Sequence, residues 1–276
     1  MTRRLVQRAT AVLAAAGVAS PEYDAAELLA HVLGTSRSAL SLVDVVEAHQ
    51  CEAYDVLVAR RAAREPLQHL TGSAAFRHVE VAVGPGVFVP RPETELLAGW
   101  AVERAGDVAA TGRAPVVVDL CTGSGAIALA VASEVPAADV HAVELGDTAY
   151  EWACRNLAGS GVDLRHGDMA DAFPDLDARV DVVVCNPPYI PLEAFESVAP
   201  EARDHDPALA LFAGPDGLDD YRRLAPTIGR LIAPGALAAI EIGHDQAGSA
   251  SALFEAAGHS VRLSHDLGGR ARALLI

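Results

Sequence analysis

The sequence predicts an α/β fold: a mostly parallel sheet with helices on both faces, preceded by a small all-helical domain. Three observations predict it. From Pro115 onward, short β-branched runs alternate with helical stretches at regular spacing, the pattern of buried parallel strands joined by helices. The alternation closes on two short runs around Asp266-Leu267-Gly268-Gly269-Arg270, a loop of hairpin length that contributes one antiparallel strand. Residues 1–72 read as helices throughout.

In chain order, a first helix covers 3–17, with Leu5, Ala9, Val12, Leu13 and Ala16 on one face and Gly17 as terminator. Ser20-Pro21-Glu22 then supplies a cap, a first-turn proline and an early acid for a helix running to Leu33. A third helix, 47–64, ends in Arg60, Arg61 and Arg64, which suits the negative end of its dipole. The domain 1–72 carries no catalytic signature and reads as a cap or a partner-recognition unit.

Residues 73–90 read as a β-hairpin linker: Phe76, Val79, Val81 and Val83 nearly alternate, and Gly84-Pro85-Gly86 turns the chain into Val87-Phe88-Val89. Pro90-Arg91-Pro92-Glu93-Thr94-Glu95 opens a helix to Ala105 and begins the larger domain, 91–276. Strands are predicted at 115–119, 139–143, 162–165, 180–185 and 236–242, with a closing pair at 260–264 and 271–276. Helices are predicted at 124–134, 147–158, 218–232 and 245–257.

Composition narrows the function. All 21 basic residues are Arg against 37 acids, a formal net charge of -16. Residues 1–75 hold seven Arg and eight acids, so nearly all of that charge falls on the larger domain. Such a surface repels nucleic-acid phosphate and favours a protein or a cationic small molecule as partner. Four widely spaced cysteines (Cys51, Cys121, Cys154, Cys185) form no Cys-x-x-Cys pair and read as reduced and mostly buried. Arg3-Arg4 before an Ala-rich run imitates a secretion signal, but Arg8 interrupts it. No apolar run is long enough to span a bilayer. A cytoplasmic location, with no membrane association, is expected.

The chemistry gathers at strand ends, where open α/β sheets bind ligands. Asp119-Leu120-Cys121-Thr122-Gly123-Ser124-Gly125 joins the first strand to its helix. Glycines there admit close backbone approach, although G-x-G without a third glycine is weak evidence and argues against a dinucleotide. Glu144 ends the second strand, about twenty residues on, where an acid can accept hydrogen bonds from ribose hydroxyls. Asp168 and Met169 follow the third strand, placed to take an adenine amine and to pack beside the ring. The fourth strand, Val180–Cys185, is stopped by Asn186-Pro187-Pro188-Tyr189; Pro187 holds Asn186 extended and neither proline can continue a ladder.

With these motifs in place, the sequence resembles class I S-adenosylmethionine-dependent methyltransferases, whose sheet is Rossmann-like. Asn186–Tyr189 places it among those that methylate planar nitrogens. Glu65–Gln68, Val89–Glu95, Asp119–Leu129, Asn186–Tyr189, Glu201–Leu211 and Asp266–Arg270 extend the resemblance to the peptide chain release factor glutamine methyltransferase family (PrmC, or HemK) over nearly the whole chain. The resemblance implies methylation of the side-chain amide of the glutamine in the Gly-Gly-Gln motif of bacterial release factors, with the helical domain helping to hold the release factor. It implies S-adenosyl-L-methionine as cofactor, S-adenosyl-L-homocysteine as product, and no metal. Cofactor contacts are expected from Cys121, Thr122, Gly123, Ser124, Gly125, Glu144, Asp168, Met169 and Asn186.

An amide nitrogen is a poor nucleophile whose two N–H donors need two fixed acceptors. The Asn186 side-chain oxygen and the Pro187 carbonyl can supply them, Pro188 stiffens the turn, Tyr189 can pack on the flat amide, and the resemblance implies the same of Phe88. Three positions depart from the family pattern: Cys121 stands where Gly is usual, Glu144 where Asp is common, and Met169 where some members carry an aromatic. Other readings are a ribosomal-protein glutamine methyltransferase, a DNA or RNA amino-methyltransferase, and a non-catalytic nucleoside-binding module.

Overall fold

In the computed structural model, which describes residues 1–266 and 268–276, the chain forms two compact units. One is Met1–Ser73 with Ala199–His205; the other is Ala74–Val198 with Asp206–Ile276. Leu267, in the loop that the sequence marks as a hairpin turn, lies outside the described residues.

The helical unit contains α1 (Thr2–Ala15), α2 (Pro21–Val32), α3 (Ala48–Ala62), the short α4 (Leu67–Thr71) and the turn Pro200–His205. Its core is Ala9, Leu13, Leu28, Leu29, Tyr54, Val58, Leu67 and Leu70. Leu5, Ala9 and Leu13 face it at steps of four residues, whereas Val12, expected on that face, is exposed. Ser20 precedes α2 but makes no side-chain cap bond; the capping box lies at α3, where the Glu47 N–H donates to Gln50 Oε1 at 2.9 Å.

Arg61 does more than complement a helix dipole. It is buried, donating to Asp24 Oδ2 (2.7 Å) and to Glu201 Oε1 (2.9 Å). Arg64 donates to both oxygens of Glu201, at 2.8 and 2.7 Å. Burial alone would raise the Glu201 carboxyl, but the Arg64 and Arg61 guanidiniums draw it down to about 2.

In the second unit, β1 (Ser73–Phe76) and β2 (Val79–Ala82) form a two-stranded sheet. Its turn is Arg77-His78, with Arg77 at φ 51°, and not the expected Gly84-Pro85-Gly86. Val87 and Val89 are buried but unladdered. The glycines serve close packing instead: a side chain at Gly84 would begin 2.7 Å from Trp152 and one at Gly86 2.5 Å from Thr148.

The main sheet has seven strands: β3 (Val116–Leu120), β4 (Asp139–Glu144), β5 (Asp163–His166), β6 (Val180–Cys185), β7 (Ile232–Glu241), β8 (Arg262–His265) and β9 (Ala271–Leu275). Their order is β5-β4-β3-β6-β7-β9-β8, parallel from β5 through β7, with β9 antiparallel to both neighbours. Helices α5 (Thr94–Ala109), α6 (Ala126–Glu134) and α7 (Asp147–Leu157) cover one face; α8 (Asp219–Leu231) and α9 (Ala247–Ala256) cover the other.

The apolar run of β6 divides between the two cores, Val182 and Val184 on one side, Val183 and Cys185 on the other, all fully buried. Burying a valine side chain stabilises by about 1.5 kcal/mol or more, so this strand anchors the sheet. Asp181 is tolerated within it because Arg113 reaches both its oxygens, at 2.7 and 2.6 Å. Pairing of Leu120 with Val143 and Cys185, and of Cys185 with Ile240, aligns the carboxyl ends of β4, β3, β6 and β7 along one edge. Among the described residues, no helix is long and apolar enough to cross a membrane.

Candidate active site

The donor half of that edge is the turn after β3. Cys121, Gly123 and Gly125 all adopt left-handed backbone, at φ 60°, 59° and 83°. For Cys121 this conformation costs roughly 1 kcal/mol, a physical reason for glycine at this position. A side chain at Gly125 would press on Leu157 at 3.0–3.3 Å, whereas one at Gly123 would enter open space. Gly125 is thus needed for packing, and Gly123 leaves the backbone approachable.

Beneath this turn, Asp119 is fully buried. Its Oδ2 accepts from the Thr122 hydroxyl (2.6 Å) and the Ala128 N–H (3.2 Å), while Oδ1 has no partner. Burial pushes its carboxyl up to about 7, against the pull of those two bonds. Glu144 accepts from the Gly123 N–H and the Gly146 N–H, each at 2.8 Å, tying the β3 turn to the end of β4. Burial raises its carboxyl too.

Asp168 accepts from the Ala170 N–H at 2.9 Å and pairs with Arg223 of α8. Met169 is buried in the core, its sulfur 3.4 Å from Cys121 Sγ, and so lines the site from behind. Of the cysteines only Cys185 is buried; Cys51 and Cys121 are half-buried, Cys154 is exposed, and none is disulfide-bonded.

A second cluster on that edge is built around Asn186. Its Nδ2 donates to Thr94 Oγ1 (3.2 Å), the Thr94 hydroxyl donates to Glu241 Oε2 (2.7 Å), and the Tyr189 hydroxyl donates to Glu241 Oε1 (3.4 Å). Thr94 opens α5, Glu241 ends β7, and Asn186 and Tyr189 follow β6, so three elements meet here. Glu241 is almost wholly buried, which pushes its carboxyl up to about 7; Thr94, and the charge of Arg272, pull the other way.

The backbone beyond Asn186 is held as firmly. Gln246 Nε2 donates to the Tyr189 carbonyl (2.8 Å) and the Gly217 carbonyl (3.2 Å), and Gln246 Oε1 accepts from the Gly243 N–H (3.1 Å). Gly217, at φ 71°, has room for no side chain, since one would begin 2.4 Å from the Tyr189 oxygen. Phe88 lies under the Arg91 guanidinium (4.9 Å from the ring centre), and Arg91 donates to Asp206 Oδ2 at 2.8 Å.

Asn186 and Tyr189 are therefore brought together through Thr94 and Glu241, neither of which sequence reasoning singled out as a site residue. Thr94 was legible only as a helix start and Glu241 only as part of a strand. Gln246 carried no signal.

A seven-stranded sheet of this order, with a Gly-turn, an acid and Asn-Pro-Pro-Tyr on one carboxyl edge, defines a class I S-adenosylmethionine-dependent methyltransferase. The hMettl16 catalytic domain, solved with a MAT2A 3'UTR hairpin, is similar in fold alone: TM-score 0.57 and 15% identity over 79% of this chain and 81% of that one. The family model described as the PrmC N-terminal domain matches residues 4–72, and the methyltransferase small domain matches 107–199. A release factor glutamine methyltransferase of Streptomyces coelicolor is 55% identical, covering 97% of this chain and 94% of that protein. A 4-amino-L-phenylalanine/4-methylamino-L-phenylalanine methyltransferase of Streptomyces pristinaespiralis is 46% identical over 75% of this chain and 70% of its own. The chain belongs to the release factor glutamine methyltransferase family.

Proposed function

We propose that the chain transfers the methyl group of S-adenosyl-L-methionine to the side-chain amide nitrogen (N5) of the glutamine in the Gly-Gly-Gln motif of bacterial peptide chain release factors, leaving S-adenosyl-L-homocysteine and a proton, which the methylated, transiently cationic amide is acidic enough to lose without a dedicated base. The observation that carries this reading is Asn186. Its Nδ2 donates to Thr94 Oγ1, which turns the side-chain oxygen away from Thr94 as the one acceptor of the group, in a chain alike over nearly its full length to release factor glutamine methyltransferases.

The residues fit the cofactor. The backbone at Gly123 borders open space, and the partnerless Asp119 Oδ1 is a buried acceptor beneath the turn. The turn Cys121–Gly125 would hold the cofactor's amino-acid part, Glu144 its ribose, and Asp168 its adenine amine, with Met169 supporting the wall. When bound, the cofactor supplies an electrophilic methyl group on a cationic sulfur.

On the acceptor side, Asn186 Oδ1 and the Pro187 carbonyl take the two N–H bonds of the substrate amide. This enriches the nitrogen in electrons and fixes its direction. Pro188 keeps the turn rigid, and Tyr189 and Phe88 flank the amide plane and keep water away. Positioning and electrostatics suffice for such a displacement, so the step needs no metal. The helical unit, 1–72, is the part we assign to release-factor recognition, with 73–90 as linker and 91–276 as methyltransferase domain. The formal charge of -16 supports a protein over a nucleic acid as partner, in the cytoplasm, where release factors work.

A second acceptor class has one observation in its favour: the Streptomyces pristinaespiralis relative is named for an amine on an aromatic ring. One assay separates the two. With labelled cofactor, methyl transfer is expected onto the Gly-Gly-Gln glutamine of a purified release factor, located by peptide mass spectrometry, and not onto 4-amino-L-phenylalanine. The reverse result sinks the proposal.

A further inference from the structure

Asn186 is useful as an acceptor only if its amide faces one way round. Turned by 180°, the same side chain offers N–H donors to a substrate amide that itself needs acceptors. What selects the orientation is the hydroxyl of Thr94. A hydroxyl has one proton and two lone pairs, and at 2.7 Å that proton goes to Glu241 Oε2. Thr94 then has only lone pairs for Asn186, so Asn186 must present Nδ2, as found at 3.2 Å.

The chain of dependence ends at Glu241. Around its carboxylate stand the hydroxyls of Thr94 and Tyr189, with Arg272 of β9 and Glu93 ahead of α5 as the nearest charges, and Tyr221 of α8 placing its hydroxyl 3.2 Å from the Glu241 backbone oxygen. No guanidinium hydrogen-bonds it among the described residues; Arg272 is committed to Asp266 at 2.9 Å. An ionised Glu241 can only accept. A protonated one can donate to Thr94, which reverses the Thr94 hydroxyl and removes its preference for Asn186 Nδ2.

We propose that Thr94 and Glu241 are positioning residues for methyl transfer: ionised Glu241 accepts the hydrogen bond of the Thr94 hydroxyl, Thr94 Oγ1 accepts one from Asn186 Nδ2, and Asn186 Oδ1 is thereby aimed at the acceptor nitrogen. The proposal rests on the glutamine reading above. It makes turnover rise with pH as Glu241 ionises, because the aligned relay exists only with the carboxylate charged.

The test is a pH profile of kcat for wild type, T94V, T94S and E241Q on the release factor, with cofactor binding by calorimetry as the fold check. T94V is expected to lose about 100-fold in kcat with cofactor affinity retained, T94S to recover most of it, and E241Q to lose the rise with pH. T94V at wild-type kcat, or the same profile in E241Q as in wild type, overturns the proposal. A second readout is independent of turnover: the Asn186 side-chain amide resonances, assigned by their loss in N186A, should titrate with pH in wild type and stay fixed in E241Q. Titration unchanged by E241Q overturns the relay whether or not the enzyme acts on glutamine. A wild type that methylates no glutamine while those resonances titrate defeats the substrate reading and leaves the relay standing.

Discussion

Glu201 in the helical unit and Glu241 in the methyltransferase unit are both withdrawn from water, yet they are met differently. Glu201 receives three guanidinium hydrogen bonds, one from Arg61 and two from Arg64, and is held ionised, its carboxyl drawn to about 2. Glu241 receives hydroxyls, and burial lifts it to about 7. A buried carboxylate that is fully ion-paired fixes structure; one satisfied by neutral donors is free to change its proton near neutral pH. The contrast separates a folding element from a working one.

Four experiments bear on that contrast, beginning with the largest effect. N186A removes the acceptor proposed for the substrate amide, and should lower kcat by about 10³-fold while calorimetry still detects cofactor binding; near-normal turnover would refute the acceptor role. E201A leaves the buried Arg61 with Asp24 as its one carboxylate, beside the Glu65 carbonyl, a loss of about 3 kcal/mol. Urea unfolding followed by circular dichroism should show it, and an unmoved midpoint would mean that the Arg61–Glu201 pair is unimportant.

The pH dependence of stability should then run in opposite senses. Glu201 lies below its ordinary value of 4.5, so its contribution is complete above 4.5 and is lost as pH falls towards 2. Glu241 lies above 4.5, so between 4.5 and 7 the unfolded chain ionises first and stability declines with rising pH, by of order 2 kcal/mol. Urea midpoints of wild type against E201Q and E241Q separate the two slopes; identical slopes in all three would abolish the distinction. Least of all, Y189F deletes a 3.4 Å bond to Glu241. It should cost under about 1 kcal/mol and move the rise in kcat to higher pH, since that bond favours the charged carboxylate. A shift to lower pH would contradict it.

Much of this was readable in the sequence, for definable reasons. Strand β6 runs over the predicted 180–185 because a doubly buried strand is apolar throughout, and Pro187 ends it chemically. Strand β7 begins at Ile232, four residues earlier than predicted. Pro234-Gly235 reads as a turn, yet the register with β6 jumps from Ile232 to Leu237 and bulges these residues out. The linker turn was misread because Gly84-Pro85-Gly86 is a stronger turn signal than Arg77-His78, although its glycines are there to pass Trp152 and Thr148. The site's layout was legible where a residue's place on its own strand settles its position, as for Glu144 and Asn186 at the ends of β4 and β6. It was illegible where function comes from residues far apart in the chain. Asn186 and Thr94 are 92 positions apart, Thr94 and Glu241 147, and only sheet order joins them.

The return of Ala199–His205 to the helical unit also bears on how this enzyme can be rearranged. The polypeptide crosses between its two units at three places, after Ser73, after Val198 and after His205. A single cut at residue 73 therefore yields no interchangeable cassette: the leading piece lacks Glu201, and the trailing piece carries an orphaned strap, Ala199–His205, that begins ten positions beyond Tyr189. Exchanging the helical unit between relatives requires transplanting that strap with its helices.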